Sequence, residues 1–242
     1  MGKRVLVTGA AKRIGRTIAI ELHKRGFEVA IHYGNSQNEA REVSALCGGA
    51  PIFQANLESV PEIRRLFAEV RRQFGPVNCL VNNAARFTRF DPLEITEADW
   101  DFIHSVNLKA VFFCCQEGAR QMREAGVDGD TGARGRIVNI SSLGGIRPWA
   151  EHAHYCASKA GVIMLTKALA KAFAPSITVN SVAPGVIAFN DVDQRTQAMI
   201  DATPMLRAGT PEEIADAVHF FLTGPDFITG QILAVDGGLN DR

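Results

Sequence analysis

The chain has 242 residues, and its 46% apolar and 21% charged side chains are ordinary proportions for a folded globular protein. Lysine plus arginine and aspartate plus glutamate balance at 26 each, which gives no reason to expect nucleic acid or an anionic membrane as a partner. No apolar run reaches the roughly 18–20 residues of a membrane span, and the first residues enter a strand pattern without a signal-peptide cleavage pattern. We therefore expect a cytoplasmic protein. The five cysteines have no spacing that suits zinc, so no metal site is predicted.

Strand patterns and helix patterns alternate along the chain. In chain order they are strand 4–8, helix 14–25, strand 28–33, helix 39–46, strand 51–54, helix 61–74, strand 78–82, a long helix, strand 136–140, helix 155–174, strand 178–183, helix 211–222 and strand 232–235. The first helix ends at Gly26, a residue typical of helix C-termini. Thr96 caps a helix that precedes the long one, with Asp99 three residues on. That helix is predicted to lead through Asn107 into the long helix, which is predicted to end near Gly126.

Seven strands separated by helices predict an α/β fold. We expect a single Rossmann-like, doubly wound domain over 1–242, with a seven-stranded parallel sheet and helices on both faces. Two segments interrupt the alternation. The Gly/Asp-rich segment 127–134 is predicted to be a surface loop. The segment 189–206 lies between a strand and a helix, where a lid over a substrate site is expected.

The first strand-to-helix turn has a glycine pattern typical of nucleotide binding. Gly9 allows the tight turn, and Gly15 lets the first helix pack closely on its strand. The helix N-terminus, at Ile14, then presents free N–H groups to a pyrophosphate. Because this glycine pair follows the first strand directly, it predicts a dinucleotide cofactor.

The second strand indicates which dinucleotide binds. NAD sites place an acidic residue at the end of this strand, about 20 residues after the glycine loop. No acidic residue precedes Glu39 here. Arg13 instead stands inside the glycine loop, where its guanidinium can face a 2′-phosphate, and Ser36 offers a hydroxyl group. The sequence therefore predicts NADP(H).

Tyr155 and Lys159 stand four residues apart at the start of a predicted helix and so share one face of it. A phenol has an unperturbed pKa of about 10, and an ammonium group held beside it is expected to lower that pKa. A tyrosine tuned in this way can pass a proton to a carbonyl oxygen. Taken alone, the pair is equally typical of an exposed helix face.

In their order along the whole chain, these motifs resemble the classical short-chain dehydrogenase/reductase family. Ser142 stands thirteen residues before Tyr155, the spacing usual in that family. The matching motifs are Thr8-Gly9…Gly15, Asn82-Asn83-Ala84-Ala85, Asn107, Ser142, Tyr155…Lys159, Pro184-Gly185 and Asp236-Gly237-Gly238.

The resemblance implies a role for each matching residue. Tyr155 would be the general acid in a reduction, Lys159 would lower its pKa and bind the nicotinamide ribose, and Ser142 would hydrogen-bond the substrate oxygen. Asn107 would hold a water in a proton relay behind Lys159. The further cofactor contacts implied are Asn56 and Leu57 at the adenine, Asn83 at the ribose, Pro184, Gly185 and Ile187 at the nicotinamide, and also His32, Tyr33 and Ala84.

Three departures from the family pattern bear on the substrate. Arg13 replaces a Gly or Ala, Phe189 replaces a Thr after Pro184-Gly185, and Ala85-Arg86-Phe87 follows Asn83 where a Gly is usual. Residues 8–15 and 32–36 are similar to the cofactor motifs of pteridine reductases, which place an aromatic residue at the position of Phe87 to stack on a pterin. We predict Phe87 and Phe189, with Ser142 and Tyr155, as substrate contacts.

Ser142 favours a different substrate class. Pteridine reductases usually carry Asp there, whereas Ser is usual in carbonyl reducers such as 3-oxoacyl-ACP reductases. We therefore expect NADPH-dependent reduction of a small-molecule carbonyl, a ketone or a 3-oxoacyl thioester, with a pteridine reductase as the alternative. The remaining alternative is a cofactor-binding protein without turnover. The presence of both Tyr155 and Lys159 disfavours it, since a protein without turnover is expected to have lost one of them.

The long helix is apolar on more than one face, with an uninterrupted apolar run at 111–115. This apolar surface is wider than packing against one face of a sheet requires. Related enzymes pair this helix and the helix that begins at Tyr155 between subunits. The sequence therefore predicts a homotetramer or homodimer.

Overall fold

A seven-stranded sheet forms the centre of the computed structural model, which describes residues 3–124, 135–189 and 192–241. All strand pairs are parallel. The strands are β1 (Arg4–Val7), β2 (Glu28–Tyr33), β3 (Ile52–Gln54), β4 (Cys79–Asn82), β5 (Gly135–Ile140), β6 (Ile177–Pro184) and β7 (Ile232–Val235). Their order across the sheet is β3-β2-β1-β4-β5-β6-β7. The predicted α/β fold is confirmed.

Helices connect successive strands. They are α1 (Arg13–Lys24), α2 (Gln37–Leu46), α3 (Val60–Gln73), α4 (Glu97–His104), α5 (Val111–Glu124), α6 (Ala153–Phe173), α7 (Gln194–Ala202) and α8 (Pro211–Thr223). The predicted cap at Thr96 is confirmed, because its hydroxyl accepts from the backbone N–H of Asp99 and the Asp99 carboxylate accepts from the N–H of Thr96. Such reciprocal caps satisfy two N–H groups that the first turn of a helix leaves free.

Two apolar layers hold the helices on the sheet. Side chains of α1, α2 and α8 pack on one face, together with Val5 and Val7. Side chains of α3, α5 and α6 pack on the other face, together with Leu6. Neighbouring strand residues point to opposite faces, so β1 contributes to both layers. Each fully buried aliphatic side chain stabilises the fold by roughly 1.5–3 kcal/mol.

The order of the strands opens a crevice at one end of the sheet. β1 pairs with β2 on one side and with β4 on the other. The connection that follows β1 leads toward β2, and the connection that follows β4 leads toward β5, away from β1. The loops after the carboxyl ends of β1 and β4 therefore separate. The residues that follow β1 and β4 therefore face each other across this opening.

Two of the predicted segments can be located in the structure. A π-helical turn, Ser105–Ala110, joins α4 to α5, where one helix is predicted to lead through Asn107 into a long one. α5 is described up to Glu124, and the predicted helix end near Gly126 lies outside the described residues. The proposed lid 189–206 contains α7, whose first turn is capped by Asp193. The predicted loop 127–134 lies outside the described residues. Within those residues, no helix combines the length and apolar character that crossing a bilayer requires.

Candidate active site

A cleft of about 700 Å³ lies at the carboxyl end of the sheet, at the opening between β1 and β4. It brings together most of the predicted site residues. Those lining it are Gly9, Arg13, Ile14, Gly15, His32, Asn56, Leu57, Asn83, Ala84, Phe87, Ser142, Tyr155, Lys159, Pro184, Gly185, Ile187 and Phe189. Residues from all six connections between the strands thus meet at one place, as expected for the carboxyl edge of a parallel sheet.

The glycine loop leaves no room for a side chain at Gly9 or Gly15, because neighbouring atoms lie too close. A Cβ on Gly15 would lie 2.3 Å from the carbonyl oxygen of Gly9 and 2.4 Å from Nδ2 of Asn83. Gly9 has a φ of +63°, and a Cβ there would lie 2.9 Å from Cα of Ala84. This backbone, free of side chains beside the N-terminus of α1, is suited to a pyrophosphate.

Asn83 joins the loop after β4 to the loop after β1. Its Nδ2 donates to the carbonyl oxygens of Thr8 and Gly9, at 3.0 and 3.1 Å. The hydroxyl oxygen of Thr8 accepts in turn from the backbone N–H groups of Asn83 and Ala84. The two walls of the cleft are therefore held at a fixed separation by side-chain to backbone hydrogen bonds.

His32, in β2, holds the glycine loop through a hydrogen bond. Its Nδ1 accepts from the backbone N–H of Gly9 at 3.1 Å, and its Nε2 lies 3.1 Å from the carbonyl oxygen of Ala55. The two bonds require a neutral ring with the proton on Nε2. Burial lowers the pKa of His32 to about 4, although the Ala55 carbonyl acts in the opposite direction. The ring is therefore neutral at physiological pH, as the geometry requires.

Arg13 is the first residue of α1 and has a φ of +51°. Non-glycine residues adopt this left-handed conformation at a cost of roughly 1–2 kcal/mol. Its guanidinium carbon lies 5.5 Å from the ring centroid of Phe189, so the segment after β6 covers it. The neighbouring Lys12 also lines the cleft and pairs with Glu39 at 2.7 Å. This end of the cleft is cationic and suits a phosphate group.

Two predicted cofactor contacts do not line the cleft that the described residues form. Tyr33 is buried and its side chain joins the apolar layer under α1 and α2. It follows His32 on a strand and therefore points to the opposite face of the sheet. Ser36 immediately precedes α2. Gly34 and Asn35, between them, line the cleft instead.

Ser142, Tyr155 and Lys159 converge at the other end of the cleft, beside Pro184 and Gly185. The hydroxyl oxygen of Ser142 accepts from the backbone N–H of Gly144 at 3.1 Å, and the Ser142 side chain acts to lower the pKa of Tyr155. Nζ of Lys159 donates to the carbonyl oxygen of Ile140 at 2.9 Å. Both Tyr155 and Lys159 are at least nine-tenths buried, so their protonation depends strongly on the surroundings.

The pKa of Tyr155 is raised and not lowered, contrary to the shift expected beside Lys159. Burial raises the pKa of the Tyr155 phenol to about 12, although the hydrogen bond with Ser142 acts to lower it. Nζ of Lys159 lies 5.9 Å from the phenol ring centroid, and burial lowers its own pKa to about 8. Desolvation is thus the largest influence on the pKa of each group. Tyr155 is fully protonated at neutral pH, which is the state that a proton donor needs.

Asn107 lies inside the π-helical turn and is completely buried. Its Oδ1 accepts from the backbone N–H of Arg86 at 2.7 Å. Its Nδ2 donates to the Arg86 carbonyl oxygen at 2.9 Å and to the Ser158 hydroxyl at 3.2 Å. The π-helical turn widens the helix at this residue, a feature frequent at functional sites. The carboxamide thus fastens the loop after Asn83 to α6, and the water relay implied by the resemblance stays a prediction.

Aromatic rings line the substrate side of Tyr155. Phe87 stands edge-on to Tyr155, with 4.8 Å between ring centroids, and 59% of its surface is exposed. Trp149 is nearly parallel to Tyr155, at 6.2 Å and 8°. Sequence reasoning missed Trp149, which stands in an irregular segment before α6. A Cβ at Gly144 would lie 3.1 Å from Trp149 and 3.3 Å from Tyr155, so this glycine lets the two rings approach.

One carboxylate holds α7 over the substrate side. Glu151 pairs with Arg89 at 2.6 Å and with Arg195, in α7, at 2.8 Å. The hydrogen bond with Arg89, followed by that with Arg195, lowers the pKa of Glu151 to about 2, so this carboxylate stays ionised. The segment predicted as a lid is thus tied both to the loop after Asn83 and to the turn before α6.

Comparison with known proteins gives consistent matches. The family model described as enoyl-(acyl carrier protein) reductase matches residues 9–240. The 3-oxoacyl-[acyl-carrier-protein] reductase FabG of Staphylococcus aureus (strain Mu50) is 38% identical over 250 residues, covering 99% of this chain and 98% of that protein. Nodulation protein G of Rhizobium sp. (strain N33) is 37% identical over 245 residues, covering 98% of this chain and 97% of that protein.

Solved structures match over the same extent. A short-chain dehydrogenase/reductase mutant of Serratia marcescens superposes with a TM-score of 0.89 at 30% identity, covering 99% of this chain and 98% of that chain. A blue fluorescent protein from a metagenomic library, solved in complex with NADPH, has the same TM-score and identity, covering 98% of each chain. The chain therefore belongs to the short-chain dehydrogenase/reductase family of oxidoreductases, which use a nicotinamide cofactor.

Proposed function

We propose that the protein reduces the carbonyl group of a ketone or 3-oxoacyl thioester with NADPH. The observation that carries this proposal is the convergence of Ser142, Tyr155 and Lys159 at the end of the cleft that Pro184 and Gly185 line. The FabG relatives, named as 3-oxoacyl-ACP reductases, support the substrate class.

The cofactor is proposed to lie along the cleft from Arg13 to Gly185. The glycine loop fits a pyrophosphate, because side chains at Gly9 and Gly15 would fill the space. Arg13 and Lys12 supply the positive charge that distinguishes a 2′-phosphate from a hydroxyl group. The NADPH complex of the metagenomic relative supports the same choice. When bound, NADPH supplies the hydride.

The chain's own residues would stabilise the charge that develops on the substrate oxygen. The Ser142 hydroxyl donates a hydrogen bond to that oxygen, and the Tyr155 hydroxyl transfers its proton to it. An alkoxide is a much stronger base than a phenolate, so this transfer is favourable even though burial raises the pKa of Tyr155 to about 12. The Lys159 ammonium, near the ring, stabilises the phenolate that remains.

A substrate panel tests the proposal. NADPH oxidation is measured with an acetoacetyl thioester and with a dihydropterin, using Tyr155→Phe as the matched variant that lacks only the hydroxyl group. We expect turnover of the thioester and a loss of at least a hundredfold in kcat/KM in the variant. Activity on neither compound would contradict the proposal and favour a cofactor-binding protein without turnover.

Pteridine reduction is the second candidate. The exposed ring of Phe87, 4.8 Å from Tyr155, favours it because a flat heteroaromatic substrate could stack there. Ser142 disfavours it, since a hydroxyl cannot act as a carboxylic acid toward a ring nitrogen. Turnover of the dihydropterin with none of the thioester would select this candidate.

We also propose that the protein is a homodimer or homotetramer. Large apolar side chains are exposed on three neighbouring helices, namely Trp100, Phe102, Phe112 and Met164. A second copy of the chain would remove this surface from water. Light scattering should give a multiple of 26.2 kDa, and a monomer would contradict the proposal.

A further inference from the structure

A second cavity, of about 380 Å³, lies beside Tyr155, between α7 and the turn before α6. It shares Phe87, Trp149, Gly185 and Ile187 with the large cleft, so the two spaces adjoin. Because Tyr155 and Gly185 lie at the proposed reacting end of the cleft, this second cavity is the space open to the rest of a substrate whose carbonyl group is held there.

His152 is a polar group held rigidly in this lining. Its Nδ1 lies 2.9 Å from the carbonyl oxygen of Thr88. The ring stacks on Phe87, with 4.6 Å between centroids and 22° between planes, and meets the edge of Trp149 at 5.8 Å. The loop that carries Thr88 is fixed independently, because the N–H of Phe90 donates to the carbonyl oxygen of Glu151 at 3.0 Å.

These contacts determine the chemistry of the other ring nitrogen. A carbonyl oxygen can only accept a hydrogen bond, so Nδ1 of His152 carries the proton. In the neutral ring Nε2 is then an acceptor. No residue in the described part of the chain donates to it. His152 lines the second cavity, and its ring centroid is 6.5 Å from that of Tyr155.

We propose that Nε2 of His152 accepts a hydrogen bond from an N–H group that the substrate carries beyond its reacting carbonyl. His152 would then be a specificity residue, and the substrate class is a carbonyl compound with an amide or ring N–H a few bonds from the reduced carbon. The inference rests on the proposed carbonyl reduction. An amide N–H on an open-chain thioester and an N–H in a flat ring offer the same donor, and the test separates them.

The test uses two matched pairs of substrates that differ only by N-methylation. The open-chain pair is the acetoacetyl thioester of N-acetylcysteamine and its N-methyl amide analogue. The ring pair is piperidine-2,4-dione and its N-methyl analogue. We expect the wild-type protein to favour the N–H compound of at least one pair by about tenfold in kcat/KM, since methylation leaves Nε2 unpaired. The pair that shows the preference identifies the source of the donor.

Two variants separate the hydrogen bond from packing. In His152→Asn the amide can still donate to the Thr88 carbonyl oxygen, but no group replaces Nε2. His152→Phe keeps the stack on Phe87 and the volume of the ring, so a steric effect of the added methyl group would persist. We expect the preference to fall toward one in both variants. His104→Asn is the matched control, because His104 has the same combination of a Nδ1 contact to a carbonyl oxygen and a stacked ring, and it lies outside both cavities.

Calorimetry with the corresponding alcohols in the presence of NADP⁺ provides a readout that does not depend on turnover. A preference for the N–H alcohol that disappears in both His152 variants supports the inference even if none of the ketones is reduced, in which case only the proposed function fails. The inference is overturned if wild type shows no N–H preference in rate or affinity, or if the preference survives in both variants.

Discussion

The backbone N–H of Gly9 donates a hydrogen bond to Nδ1 of His32 across 3.1 Å. The bond joins the cofactor loop to the neighbouring strand, and it exists only while the imidazole is neutral. Protonation of Nδ1 would replace an attraction with a repulsion between two donors. The shape of the glycine loop therefore depends on a side chain whose pKa lies at about 4.

Acid should weaken the protein through His32. Its pKa is lowered from 6.5 to about 4, so between these values the unfolded chain binds more protons than the folded one. The contribution of His32 is complete above pH 6.5 and is lost as pH falls toward 4, by about 2–3 kcal/mol. Urea unfolding at pH 7 and pH 4.5 measures it. The loss should be smaller in His32→Leu, and an equal loss in both proteins would argue against this role.

Arg13 should lower the stability of the fold and increase the preference for NADPH over NADH. Arg13→Gly removes the cost of a positive φ and should raise the free energy of unfolding by about 1 kcal/mol. Arg13→Ala keeps the strained backbone, so it should not show this gain. Both variants lose the guanidinium and should lower the NADPH/NADH ratio of kcat/KM at least tenfold. An unchanged ratio would show that Arg13 does not contact a 2′-phosphate.

Gly15 should tolerate no side chain. In Gly15→Ala the new Cβ would meet two backbone-anchored groups at less than 2.5 Å, and the loop after β1 would have to move away from β4. We expect a loss of about 2–4 kcal/mol in the free energy of unfolding, together with weaker NADPH binding in calorimetry. Gly34→Ala is the control for the free energy of unfolding alone, because a Cβ there meets no atom within 4 Å but Gly34 itself lines the cleft. Equal stability of the two variants would refute the close approach.

Alkaline pH should stabilise the protein through Lys159. Its pKa is lowered from 10.5 to about 8, so between these values the unfolded chain binds more protons. The cost of burying the ammonium is fully present below pH 8 and decreases as pH rises. Tyr155 acts in the opposite direction only above about pH 10. From pH 8 to 9.5 wild type should gain on the order of 1–2 kcal/mol relative to Lys159→Met; parallel curves would contradict the assignment.

Local patterns allowed much of the fold to be predicted. Apolar runs of strand length and helical spacings located all seven strands, because these signals depend on the period of side chains within one element. The predicted bounds of β2 and β7 coincide with those observed. Gly9, Gly15 and the Ser142 to Tyr155 spacing located both ends of the cleft, since their chemistry is tied to fixed positions after strands.

Features that depend on tertiary contacts were missed. Trp149 reaches the site because Gly144 leaves room for it, which no periodicity indicates. The resemblance implies that Tyr33 contacts the cofactor, whereas strand alternation directs its side chain into the core. The widened helix at Asn107 carries hydrogen bonds to Arg86 and Ser158, which are distant in sequence. The balance of desolvation and charge at Tyr155 depends on burial and distance together.

The hydrogen bonds that join Thr8 and Gly9 to Asn83 also have a consequence for the order of events during synthesis. The partners are about 75 residues apart. The glycine loop emerges from the ribosome first, but one wall of its cradle is missing until β4 has joined β1. A nascent chain that ends before Asn83 therefore cannot hold a dinucleotide in this geometry, and the cofactor enters only after the centre of the sheet has formed.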